Sequence, residues 1–139
     1  MTAIAPHISA FLLERLPVER RASPHTQDSY SYAFQLLFRF TSERLKMPPS
    51  ALHVEQIDAP LVLEFLSDLE RNRGNGASTR NVRLAAIKSF FRFIEYRVPS
   101  ALEQVRRILA IPPKKTEERL VSHLTALEMK AVVAAPNPA

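Results

Sequence analysis

The chain has 139 residues, 46% of them hydrophobic, which is enough apolar material for one core and a short appendage. It has no cysteine, which excludes disulfides and thiolate metal sites, and no uncharged apolar run nears the roughly 20 residues of a membrane-spanning helix. Nineteen Lys and Arg against fourteen Asp and Glu give a net charge of +5 and a sequence pI of about 10.0, which favours a polyanionic partner; the lack of a leader-like N-terminal pattern fits a cytoplasmic location.

The punctuation predicts helices throughout. A first helix runs from Pro6 to Leu16, with Ile8, Phe11, Leu12 and Leu16 on one face, and stops at Pro17. Ser23-Pro24 has the form of an N-cap followed by proline, and the helix it opens extends to about Lys46, turning Tyr30, Ala33, Phe34, Leu37, Phe40 and Thr41 inward before Met47-Pro48-Pro49 closes it. A third helix is capped by Asp58, buries Leu61, Val62, Phe65, Leu66 and Leu69, and breaks at Asn72-Arg73-Gly74-Asn75-Gly76. The fourth, from Ser78 or Thr79 to about Tyr96, presents Val82, Ala86, Ile87, Phe90, Phe91, Phe93 and Ile94 to the core. A short fifth helix is expected at Ser100, whose hydroxyl and Glu103 have the spacing of a capping box. Ile111 to Lys115 is not helical, and the charged run to Arg119 reads as an extended linker. Thr125 and Glu128 then form a second capping box, opening a final helix to about Ala135. The fold class is all-α: a bundle of four to five helices, a linker, and one C-terminal helix.

Enzyme chemistry is not visible in these residues. His7, His25, His53 and His123 lie far apart in sequence, without metal-ligand spacing, so neither a metal nor a cofactor is expected. Gly74-Asn75-Gly76 is explained as a helix terminator, and Glu117-Glu118 has no shaped pocket in which to act as an acid and base pair. Tyr30 reads as a core residue, and Tyr32 and Tyr96 as surface residues.

The charge is concentrated on the fourth helix, where Arg80, Arg83, Lys88, Arg92 and Arg97 face only Glu95. At 100° per residue, Asn81, Ala85, Lys88, Ser89 and Arg92 share a slim polar side opposite the phenylalanines, suited to a groove wall and its phosphates. Arg80 and Arg83 lie nearer the apolar arc, in the first turns, where a side chain extends past the core. The second helix has a comparable polar side in Ser31, Gln35, Arg39 and Ser42, with Thr26 near its start. Solvated faces on a helical protein-interaction module would look the same. A helix-turn-helix regulator is disfavoured because these helices are long and lack its tight turn.

Three stretches in fixed order resemble the N-terminal core-binding, or SAM-like, domain of tyrosine recombinases and phage integrases. They are Ser23-x-x-Thr26-x-x-x-Tyr30 leading to Leu37-x-x-Phe40, the run Ser78 to Phe91, and Pro112-Pro113 preceding Leu124-Thr125-x-x-Glu128. The resemblance implies residues 1–110 as a helical DNA-binding domain, 111–122 as a linker and 123–139 as the first helix of a catalytic domain. It further implies that the catalytic arginines, lysine, histidines and tyrosine lie beyond that helix, so this chain is expected to bind recombination half-sites without cutting them. Carried over position by position, the DNA contacts are Thr26, Gln35, Arg39, Arg80, Asn81, Arg83, Lys88, Arg92, Lys114 and Lys115. The resemblance also implies a homo-oligomer on DNA through the first helix, for which Phe11, Leu12 and Leu13 are available; burial of two of these in the chain's own core is the competing expectation.

Overall fold

A computed structural model describes residues 2–19 and 23–115. Its helices are α1 (Ala5–Ala10), running through a π-helical turn at Phe11–Arg15 into α2 (Leu16–Glu19), then α3 (Pro24–Leu45), α4 (Ala59–Asn72), α5 (Ala77–Arg97) and α6 (Leu102–Leu109). The final helix predicted from Thr125, and the linker from Thr116 on, lie outside the described residues.

The termini of α3 and α4 follow the sequence closely. The Ser23 hydroxyl accepts the Thr26 N–H at 3.2 Å, and the Asp58 carboxylate accepts that of Leu61 at 3.0 Å. Each satisfies a donor that the first helical turn leaves without a partner. Lys46, in left-handed backbone at φ 57°, ends α3, and Gly74 at φ 67° turns the chain after α4. The connection between them was not anticipated: two 3-10 turns, Pro49–Ala51 and Val54–Gln56, bury Leu52, Val54 and Ile57. The Gln104 amide on α6 donates to the Val54 and Ile57 carbonyls at 2.8 and 2.7 Å, which fastens this connection to the bundle.

Phenylalanines hold the helices together. Phe11, Phe34 and Phe90, from the π-turn, α3 and α5, meet pairwise at 5.5–6.2 Å between ring centroids, and Phe40 on α3 meets Phe65 on α4 at 5.7 Å. Of the first-helix trio, Phe11 is buried, Leu12 packs partly on the core and Leu13 stays exposed.

Three expectations are corrected. The first helix does not stop at Pro17 but passes through it, because the wider π-turn before it accommodates a residue with no N–H to give. Ser100 caps nothing: it sits inside a 3-10 turn, Pro99–Ala101, and α6 starts after Ala101 without a side-chain cap. Glu103, freed from the capping box, pairs instead with Arg107 at 3.0 Å. Val82 is 45% exposed while Leu84, which the predicted core omits, is buried. Phe11 and Arg15 cover this flank of α5 at Phe93; Val82, about three turns earlier on the same flank, lies beyond that cover.

Candidate nucleic-acid interface

Two long helices present polar side chains together at the seam between α3 and α5. Ser29 and Tyr32, one turn apart on α3, face Arg83 on α5. The Arg83 guanidinium lies over the Tyr32 ring, 5.0 Å from its centroid, and one Nη donates to the Ser29 hydroxyl at 3.3 Å. The side chain is half-buried, its Nε is enclosed without a hydrogen-bond partner, and it makes no ion pair among the described residues. A partly desolvated cation held on an aromatic face and lacking a counter-ion has strong affinity for an added anion. Val82 and Ser78 are exposed on α5 close by in sequence, and Thr26 sits one turn before Ser29, its N–H engaged by the Ser23 cap.

Lys88 and Arg92 belong to another side. The α3-facing direction of α5 is marked by Phe90, which meets Phe34, and by Arg83. Helical periodicity puts Lys88 and Arg92 about 160–200° round from Phe90. The two cations form no ion pair among the described residues, and burial, then Arg92, then Arg80 hold the Lys88 ammonium below the ordinary lysine value. Ser89, expected on their exposed stripe, is buried.

Arg80, Asn81 and Lys114 come together around an anion that sequence reasoning missed, Glu70. Lys114 Nζ reaches its carboxylate at 2.8 Å and Arg80 Nε lies 3.9 Å from it. Arg80 is only 7% exposed, which corrects the expectation that it extends past the core. Gln35 and Arg39 are exposed on α3 and line a cleft of about 560 Å³ with Phe38, Ser42, Glu43 and Pro49, away from α5. Lys115 is exposed beyond Lys114. Among the described residues, no group of three or more His, Asp or Glu side chains could hold a metal, and no helix is long and apolar enough to cross a membrane.

The family model described as phage integrase, N-terminal SAM-like domain, matches residues 8–97, which span α3, α4 and α5 entirely. The chain belongs to this family. Its SAM-like domain is therefore all-α, as observed. Among curated relatives, a Sinorhizobium fredii protein that carries the name integrase/recombinase y4rC is 46% identical over 97% of this chain and 41% of its own length. A second from that organism, y4rD, is 40% identical over 97% of this chain and 48% of its own. A protein named tyrosine recombinase XerC, from Pelotomaculum thermopropionicum, is 31% identical over 94% of this chain and 41% of its own. The chain thus spans less than half the length of each of these relatives. No solved structure matches it.

In the SAM-like domain, Glu70, Ser29 and Tyr32 escaped sequence reasoning because their partners are remote: Lys114 lies 44 residues from Glu70, and Arg83 lies 54 from Ser29. The one available signal was the amphipathic register of α3, which leaves Tyr32 outside the apolar stripe.

Proposed function

We propose that the chain binds double-stranded DNA with the α3–α5 seam in the major groove, as the DNA-binding part of a protein that recombines or integrates DNA. The observation that carries this is Arg83: a half-buried guanidinium stacked on Tyr32, with no counter-ion among the described residues, at the place where two long helices present polar side chains side by side. A planar guanidinium suits either a phosphate or the paired acceptors of a guanine edge, and exposed Val82 suits a thymine methyl. Thr26 and Ser29 provide short hydroxyls that let the α3 backbone approach the groove wall. Gln35 and Arg39 line a separate cleft on α3 and are left out of the seam contact. Membership of the SAM-like family and the names of the relatives support the recombination context.

Lys88 and Arg92 form a second basic site on the other side of α5, so a single groove does not take both surfaces. The seam is preferred because α3 contributes there and does not contribute at Lys88.

The reading is tested by titrating the chain into a fluorescent duplex at several salt concentrations. Binding through several phosphates is expected to weaken linearly in log affinity against log salt, with a slope near −0.9 for each phosphate neutralised. A protein-interaction module with a solvated basic face would show no saturable duplex binding at low salt, and that result would overturn the proposal.

A further inference from the structure

The segment leaving the bundle is held at both ends of a proline pair. Ile111 is buried at one end, its N–H bonded to the Ile108 carbonyl at 3.1 Å. Pro112 and Pro113 have no N–H, so Lys114 carries the first backbone donor after Ile111. The Asn81 side chain captures both backbone groups of that residue. Its Oδ1 accepts the Lys114 N–H at 2.9 Å, and its Nδ2 donates to the Lys114 carbonyl at 2.7 Å. The same Oδ1 accepts from buried Arg80 at 3.3 Å, which orients the carboxamide from below. Glu70 on α4 takes the Lys114 ammonium at 2.8 and 2.9 Å and lies 3.9 Å from Arg80 Nε.

We propose that Glu70, Arg80 and Asn81 form a clasp that fixes the direction in which the chain leaves the helical bundle, and that Asn81 and Lys114 are positioning residues and not DNA contacts. A two-point hold on one residue, through the peptide groups on either side of its Cα, sets the orientation of the backbone there as well as its position. Paired prolines transmit the constraint, since each ring fixes φ near −65° and the segment has few ways to bend between Ile111 and Lys114. Asn81 lies about 180° round α5 from Phe90 by helical periodicity, so the held segment sits on the side of α5 away from α3. The outgoing segment at Lys114 and Lys115 therefore lies clear of the α3–α5 seam. Arg80 contributes as a buried cation between two acceptors: it lies 3.9 Å from the Glu70 carboxylate that holds Lys114, and it keeps the Asn81 oxygen turned towards the Lys114 N–H. The clasp is a property of the free chain and does not depend on the DNA reading.

The absence of native cysteine allows a clean positional test. Nitroxide labels on Lys115→Cys and on Ser67→Cys, an exposed position of α4, report the distance from the outgoing segment to the bundle by pulsed electron paramagnetic resonance. A single narrow distance distribution is expected in the otherwise native chain. Asn81→Ala should broaden it severalfold, and Asn81→Asp, which keeps the acceptor but loses the donor, should give an intermediate width. Equal widths for all three chains would overturn the clasp. Should Asn81→Ala fail to fold, the Lys114 amide exchange rate in the native chain decides: the clasp predicts exchange slowed roughly five- to tenfold or more relative to an unprotected peptide, and exchange at the unprotected rate contradicts it.

Discussion

His7 shows how burial, assisted by a neighbouring cation, sets a pH dependence in this molecule. Its Nδ1 is enclosed without a hydrogen-bond partner, and its pKa is held below 6.5 by burial and then by Arg97, with Glu55 opposing. The folded chain therefore binds that proton less readily than the unfolded chain. The contribution to stability is complete above 6.5 and is lost as pH falls from there through the lowered folded value. Thermal melts should show the midpoint falling over that interval, and His7→Gln should remove that part of the dependence; an unchanged pH profile in the variant would contradict it. Burial also decided which candidate residues the sequence revealed. The basic character of α5 is plain from Arg80 to Arg97, but composition does not separate Arg80, which turns inward towards Glu70, from Arg83, which lies on Tyr32. Those fates depend on residues of α3 and α4 that share no local pattern with them.

Among the elements, α3 and α4 were legible because their signals are local. A cap residue, a following proline and a regular apolar stripe sit within one helix, and the five core positions expected on α4 are all buried. Local rules failed where the backbone departed from the ordinary α-helix: the π-turn that carries the first helix past Pro17, and the 3-10 turn that takes Ser100 out of the capping position. This contrast has a measurable consequence. Asp58→Ala removes a side-chain acceptor from a helix N-terminus and should cost about 1 kcal/mol. Ser100→Ala removes an exposed hydroxyl that caps nothing and should change stability by less than about 0.5 kcal/mol. Denaturant unfolding of the two variants checks both, and a cost at Ser100 equal to that at Asp58 would reinstate the capping box.

At the scale of the whole molecule, the cations fall into distinct groups with different work. Arg80 and Lys114 share the Glu70 carboxylate, while Arg83 and the Lys88–Arg92 pair, on opposite sides of α5, form no ion pair among the described residues. Net charge indicated a polyanion from the outset, yet the side that receives it follows from how α3 packs on α5, a long-range arrangement that a helical wheel of α5 alone does not contain. The central claim is that the seam, and not the Lys88–Arg92 side, enters the groove. The most direct measurement compares Arg83→Ala with a Lys88→Ala, Arg92→Ala double variant, each titrated against duplex DNA across a range of salt, with circular dichroism confirming the fold. Arg83→Ala is predicted to lower affinity and to reduce the salt slope by about one, while the double variant keeps an affinity closer to the parent. Parent-like affinity and slope in a folded Arg83→Ala chain, together with a loss in the double variant, would contradict the account and move the interface to the other side of α5.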